Sequence, residues 1–381
     1  MSANAGQRAR PVDATPMLAM EGIADLDKAV LSRILIEGGH ATGPIEEVTL
    51  KPIGVGLLGG SYRLQLRYAA GASGLPALVV KMHVDNPRSR KLARYGVRVE
   101  GVYGFYANET AFYQQLAPSL SIRVPDCYAA AVSEDGSRFV LLLEAIEPAT
   151  PGNDLTPCSM QRLEMAVINI AGLHGPSWDI AADRVDPMIF DSRGPNAATM
   201  QSHVQTACKI NAERWADYFD AEEFAAFSRF ADRYDEWQRA EGRPRSIVHV
   251  DHRLDNLLFF DDRDEVVVVD WQTLQLSFPL RDVGQLFAAS IDTELRREAE
   301  IPMLRVYQEA LARHGVTDYG FDRLLDDYRY SLLQGLHGGL LGMATIPLEG
   351  RGKELFLTKV RRTMVALRDH RDHMEIDVLS A

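Results

Sequence analysis

The stretch Ile247-Val248-His249-Val250-Asp251-His252-Arg253-Leu254-Asp255-Asn256-Leu257-Leu258-Phe259 is followed, after a polar turn, by Val266-Val267-Val268-Val269-Asp270-Trp271-Gln272. Its spacing is H-x-D-x-x-x-x-N, then a short hairpin, then an aspartate ending an apolar strand. Phosphoryl transfer needs a carboxylate to orient a hydroxyl and accept its proton. It also needs an amide and a second carboxylate to hold a divalent cation on the phosphates. Asp251 fits the first role, and Asn256 and Asp270 fit the others. Two residues after Asp251, Arg253 is placed to offset the charge of a transferring phosphoryl group.

Working upstream, Lys81 ends the apolar strand ALVVK, and Glu109 sits on the helical stretch FYANETAFYQQL that precedes the next strand. A lysine on a strand can hold nucleotide phosphates if a helical glutamate orients it. Further upstream, Gly54-Val55-Gly56-Leu57-Leu58-Gly59-Gly60-Ser61 matches G-x-G-x-x-G. A dinucleotide-binding fingerprint requires a helix next, whereas Ser61 to Tyr68 alternates apolar and polar residues as a strand does. The order therefore favours a kinase-type glycine loop, with Gly54, Gly56, Gly59, Gly60 and Ser61 as candidate nucleotide contacts.

The rest of the chain falls into two patterns. Residues 24–37 read as a leading helix stopped by Gly38-Gly39, and strands follow at 61–68, 77–82 and 139–143, interrupted by the helix at 105–116. After the PATPGND linker at 148–154 the pattern is mostly helical: 159–174, about 197–218, 221–240, 281–314 with a break, 321–345 and 353–370. The expected fold class is α+β, an antiparallel-sheet lobe followed by a mainly helical lobe.

At 381 residues, 46% of them hydrophobic, the chain has material for a sizeable core in each lobe. The formal charge of -12 argues against general nucleic-acid binding, which relies on clustered lysine and arginine. Acidic and basic residues balance over 1–150, so that charge falls on 151–381, where a solvated acidic surface is favoured over a site for cations. Cys127, Cys158 and Cys208 are too scattered for a metal knuckle or a disulfide framework, which fits a reducing cytoplasm. No apolar stretch is long enough to insert in a membrane; 335–348 is too short and contains a histidine.

Together these residues resemble the aminoglycoside phosphotransferase and choline kinase superfamily, and within it the ecdysteroid kinase-like branch and its bacterial relatives. Ala111 to Pro118 (AFYQQLAP), Leu141 to Glu144 (LLLE) and Ile170 to Trp178 (IAGLHGPSW) extend the resemblance over most of 45–290. It implies a protein-kinase-like bilobal fold: a mobile leader at 1–20, an N-lobe at 21–147, and a C-lobe at 148–381 holding the catalytic loop, metal site and substrate pocket. It also implies ATP and Mg as cofactors, a hydroxylated small molecule as acceptor, and adenine contacts from the backbones of Glu144 and Ile146. Val250 departs from the usual glycine between the histidine and aspartate, and His252 from a common apolar or aromatic residue. Gln272 stands where protein kinases have glycine.

His249, His174 and Asp282 read as architectural, and the basic run Arg88 to Arg94 as a solvated segment. Two other functions compete with the kinase reading. A metallohydrolase would use His249-Val250-Asp251-His252 as the end of an H-x-H-x-D-H motif, but the first ligand position holds Ile247. A catalytically silent nucleotide-binding protein would keep the fold without turnover.

Overall fold

The computed structural model describes residues 9–55, 59–84, 104–186, 189–195, 197–345 and 349–380. Two compact units emerge: one of Met1–Pro148, Asp186–Ile189 and Val267–Leu274, the other of Ala149–Val185, Phe190–Val266 and Gln275–Ala381.

The first unit is built on a sheet of β1 (Val12–Asp13), β2 (Ile45–Val55), β3 (Gly59–Tyr68), β4 (Ala77–His83), β5 (Cys127–Val132) and β6 (Phe139–Glu144). Strand order is β1-β5-β6-β4-β3-β2. Only the β1–β5 pair is parallel, and the others are antiparallel. Alternation sorts the two faces. Leu64, Leu66, Leu78, Val80, Met82, Val140 and Leu142 form one buried cluster with Leu31, Ile34 and Leu35 of helix α1 (Lys28–Glu37). Asp27 caps that helix by accepting from Ala29 N at 2.7 Å. Among the described residues β2 pairs only with β3, so Pro52 sits on an edge strand of the sheet.

The leader expected at 1–20 is corrected in its second half. Val12 and Asp13 pair with Ala129 and Ala130, and Ala14, Met17 and Met20 are buried in the same cluster. Apolar residues spaced three apart in a single turn (Thr15–Ala19) fasten this segment to the sheet, a signal too short for periodicity to expose. Residues 1–8 lie outside the described residues.

The odd-numbered residues of β4 turn the other way, and this sends Lys81 away from the Leu78, Val80 and Met82 cluster. Helix α2 (Phe105–Ala111) belongs to this unit, with Tyr106 stacked on Phe139 at 4.2 Å between ring centroids. The segment Val267–Leu274 is also grouped here. Trp271 stacks on Phe112, 3.8 Å between centroids and 7° between planes, and Asn108 donates to the Gln272 carbonyl at 3.2 Å. Asp270 consequently belongs with the lysine strand, although sequence order alone assigns it to the second lobe.

The second unit is mainly helical: α3 (Met160–His174), α4 (Ala197–Arg214), α5 (Ala221–Asp232), α6 (Tyr234–Arg239), α7 (Leu280–Gln285), α8 (Thr293–Arg313), α9 (Phe321–Ser331), α10 (Gln334–Thr345) and α11 (Gly350–Asp369). The break expected within 281–314 is a wide turn over Leu286–Ser290, after which Asp292 caps α8 through Leu295 N at 2.9 Å. Short strands frame the segment 249–256, the candidate catalytic segment. Ser246–Val248 pairs antiparallel with Gln275–Ser277, and Leu257–Phe260 pairs with Thr150–Pro151. None of the helices among the described residues is long and apolar enough to cross a membrane.

Candidate active site

In the first unit, Lys81 Nζ lies 2.8 Å from Glu109 Oε1 and 2.8 Å from Asp270 Oδ1. Glu109 is buried at 1% side-chain exposure, and its Oε1 also accepts from Trp271 N at 3.3 Å. Burial alone would lower the Lys81 pKa, but Asp270 and then Glu109 outweigh it and hold the ammonium above the ordinary lysine range. Burial pushes the Glu109 carboxyl up, with Lys81 pulling the other way. Asp270 adopts a left-handed conformation (φ 69°), which aspartate tolerates better than most residues. Its side chain remains 41% exposed.

Gly54 pairs with Ser61 and Val55 with Gly60 at the β2–β3 end, while Gly56 lies outside the described residues. Ser61 sits opposite Lys81 in the β3–β4 register. Gly59 answers a close approach, since a Cβ there would stand 2.9 Å from the Met82 carbonyl oxygen. Glu144 accepts both terminal nitrogens of Arg123 at 3.0 and 2.9 Å, and its amide donates to the Asp126 carbonyl at 2.8 Å. Glu144 thus has no backbone donor left for a base. Ile146 follows β6 and makes no backbone hydrogen bond among the described residues. The basic run Arg88 to Arg94 also lies outside them.

In the second unit the catalytic segment hangs on one buried carboxylate. Asp282 of α7 accepts from His249 N at 2.7 Å and Val250 N at 2.6 Å, and contacts His174 Nε2 at 3.1 Å. His174 is in turn bonded to Tyr307 Oη through Nδ1 at 2.7 Å. Burial would raise the Asp282 pKa, but His174 and the neighbouring histidines hold it below the usual carboxylate range. Gln334 donates to the Val250 carbonyl at 2.8 Å, so Val250 is anchored at both its N–H and its C=O.

This anchoring explains a departure seen in the sequence. Val250 has φ 73°, a conformation that suits glycine and costs a branched residue roughly 1–2 kcal/mol. Its side chain is buried at 4% exposure, and burying a valine contributes about 1.5–3 kcal/mol, enough to offset the strain.

Around Asp251 the two carboxylate oxygens differ. Oδ2 accepts from Arg253 Nε at 2.9 Å and Asn256 Nδ2 at 3.2 Å; Asn256 Nδ2 also bonds the Asp251 carbonyl at 2.9 Å. Oδ1 has only Gln285 Nε2 at 3.4 Å and Lys359 Nζ at 3.5 Å. Burial would raise the Asp251 pKa, yet Arg253 and then Lys359 hold the carboxyl below the usual range, so it is an anion at neutral pH. Arg253 also reaches Asp154 at 3.0 Å and Asp255 at 2.6 Å. Arg253 is thus held by three carboxylates, Asp251 among them.

Sequence reasoning missed Asp154 and Lys359. Asp154 is fully buried and ties Arg253 to Ser290, but it sits in what reads as a polar linker. Lys359 is 2% exposed and lies on the apolar stripe of α11 with Leu355 and Thr363 at four-residue spacing. A lysine on such a stripe was the available signal.

Two outcomes follow from the loop packing. A Cβ on Gly152 would stand 2.3 Å from the Leu254 carbonyl oxygen, so Gly152→Ala pushes directly on the catalytic segment. Overpacking of this kind costs about 1–3 kcal/mol, seen as a lower melting temperature accompanied by reduced turnover.

His252 is fully buried, and neither ring nitrogen has a partner at hydrogen-bonding geometry; burial pushes its pKa down to about 3, against the pull of Asp282. The unfolded chain binds a proton there below about 6.5 and the folded chain does not. Stability therefore falls as pH drops from about 6.5, by up to about 1.4 kcal/mol per unit. In His252→Leu, melting temperatures measured at pH 7 and pH 5 should differ less than in the parent. His40, His314 and His337, also pushed down by burial, contribute to the acid sensitivity that remains.

The rings of His249 and His252 are both fully buried, and among the described residues no group of three or more His, Cys, Asp or Glu side chains could hold a metal ion. The arrangement offers an anionic carboxylate with one open oxygen, an amide beside it, and a lysine–glutamate–aspartate cluster in the other unit.

Known proteins share this fold. An ethanolamine kinase from Plasmodium vivax matches with a TM-score of 0.55 at 9% identity, over 86% of this chain and 84% of that one. A choline/ethanolamine kinase family protein from Mesorhizobium loti matches with a TM-score of 0.50 at 16% identity, over 93% and 98%. An aminoglycoside 2'-phosphotransferase-IIIa mutant in its GDP complex matches with a TM-score of 0.50 at 11% identity, over 91% and 99%. At such identities the likeness establishes a kinase-like phosphotransferase fold. A search of curated proteins returned no match. The sequence model of the ecdysteroid kinase-like family matches residues 58–317, more than half of the chain, and on that ground the chain belongs to the ecdysteroid kinase-like family.

Proposed function

We propose that this protein is a small-molecule kinase that transfers the γ-phosphoryl group of Mg-ATP to a hydroxyl of its acceptor. The observation that carries the reading is the asymmetry of Asp251: Oδ2 is held by Arg253 and Asn256, while Oδ1 has no partner closer than 3.4 Å. A carboxylate fixed by one oxygen can orient an acceptor hydroxyl with the other and take its proton as transfer proceeds.

In this reading Lys81, oriented by Glu109, binds nucleotide phosphates, and Gly54, Gly56, Gly59, Gly60 and Ser61 cover them with backbone N–H groups. The Ile146 amide, and the Glu144 carbonyl in place of its occupied N–H, are assigned to the base. Mg is assigned to Asp270, which offers a carboxylate in the first unit, and to Asn256, which offers an amide oxygen in the second because its Nδ2 is engaged by Asp251. Bound there, the cation would neutralise charge on the phosphates. Arg253 fixes the orientation of Asp251.

The test is a nucleotide-consumption screen with Mg and pooled sugars, polyols, amino alcohols, aminoglycosides and sterols, run with ATP and with GTP because one structural relative was captured with GDP. Asp251→Ala serves as the control. A product heavier by one phosphoryl group, absent with the variant, supports the proposal. Nucleotide binding without any product points to a silent nucleotide-binding protein, and no nucleotide binding at all removes the kinase reading.

A further inference from the structure

Lys359 is a buried cation near Asp251 that the reaction outlined above leaves without a role. Its side chain is 3% exposed, its ammonium stands 3.5 Å from Asp251 Oδ1, and its other contact is the Phe356 ring at 5.4 Å. Both distances exceed that of an ordinary N–H···O hydrogen bond. An ammonium carries three donors, and leaving them unused away from water is costly. By contrast, the nearby carboxylates are occupied: Asp154 by Arg253 and Ser290, Asp255 by Arg253 and Arg351. The surface of 151–381 is acidic overall, yet the free oxygen of Asp251 is edged by a cation and an amide.

We infer that Lys359 binds the acceptor through an oxygen adjacent to the reacting hydroxyl, so the site takes vicinal polyols or hydroxycarboxylates and disfavours ammonium alcohols. The inference rests on the reading of Asp251 as the group that receives the acceptor's proton. A hydroxyl on Oδ1 sits about 2.7 Å from it, and an oxygen accepting from Lys359 sits about 2.9 Å from Nζ. With Nζ and Oδ1 3.5 Å apart, two oxygens at the separation of neighbouring hydroxyls, or of a hydroxyl and its adjacent carboxylate, can meet both contacts at once. An ammonium in the second position would face Lys359 as a like charge without an acceptor lone pair.

Ethylene glycol and ethanolamine form a matched pair for the test, differing by a hydroxyl or an ammonium beside a hydroxyl, with gluconate and glycerol against choline as a wider set. Binding is followed by saturation-transfer NMR in the presence of a non-hydrolysable ATP analogue, and phosphorylation by mass spectrometry with ATP. The oxygen set should bind at least about tenfold more tightly than the ammonium set, and Lys359→Met should remove that preference while Lys359→Arg retains it. Melting curves establish that both variants fold.

Equal or tighter binding of the ammonium set, no binding of either set, or an unchanged preference in a folded Lys359→Met protein would each overturn the assignment. If the oxygen set binds as expected but gains no phosphoryl group, the kinase proposal fails and the Lys359 assignment stands.

Discussion

Asp251→Asn should reduce turnover by about 10²- to 10⁴-fold, the range for loss of a positioned general base, while nucleotide affinity is unchanged. The substitution is isosteric, so an amide oxygen can still accept from Arg253 and Asn256 at the Oδ2 position. The amide nitrogen then occupies the Oδ1 position, where it donates and cannot take a proton. The bonds from Arg253 and Asn256 are thereby kept and the chemistry removed, while the new amide nitrogen loses the contacts that Gln285 and Lys359 make with Oδ1. Steady-state kinetics with any turned-over acceptor, alongside nucleotide titration, measure the two effects separately. A variant that keeps parental kcat would show that Asp251 is not the base.

Asp282→Asn should act on a different level. The carboxylate accepts two backbone N–H groups and contacts His174, all in a fully buried setting. An asparagine can serve one of those N–H groups with its oxygen but turns a donor toward the other. Breaking a buried charged contact by removing one partner costs about 3–5 kcal/mol, so the urea midpoint should fall sharply. Turnover should fall with it, because Val250 loses one of the bonds that hold its left-handed backbone. The two aspartates are then separable: Asp251→Asn impairs catalysis in a stable protein, whereas Asp282→Asn impairs stability first. Acid should reproduce part of the second effect. The Asp282 pKa is depressed in the folded state, so its contribution is present above the ordinary carboxylate pKa of about 4 and is lost as pH falls below it.

The features legible in the sequence are those written locally. Asp251 and Asn256 lie five residues apart in one loop, and the bond from Asn256 to the Asp251 carbonyl closes that short span. Lys81 is legible because strand alternation places it opposite Leu78, Val80 and Met82, and Glu109 because it lies on the first helix after that strand among the described residues. The architectural reading of His174 and Asp282 agrees with their mutual contact.

What escaped depends on contacts between distant segments. Asp154 meets Arg253 across 99 residues, and Lys359 approaches Asp251 from α11, beyond the stretch where motif spacing carries information. The attachment of 12–20 to β5 was hidden for the same reason, since two strand residues and one helical turn give no readable period. Asp270 shows the limit from another side. Its sequence position follows the catalytic loop, but its bond to Lys81 and the packing of Trp271 on Phe112 group it with the sheet unit.

The most direct test of phosphoryl transfer uses ATP whose γ-phosphoryl oxygens carry a heavy isotope, with Mg and the polyol and hydroxycarboxylate acceptors, followed by mass spectrometry of the product. The account predicts that the acceptor gains the labelled phosphoryl group while keeping its own oxygen in the new bond, and that Asp251→Asn yields none. Label appearing only in inorganic phosphate, or an equal yield from Asp251→Asn, would contradict it.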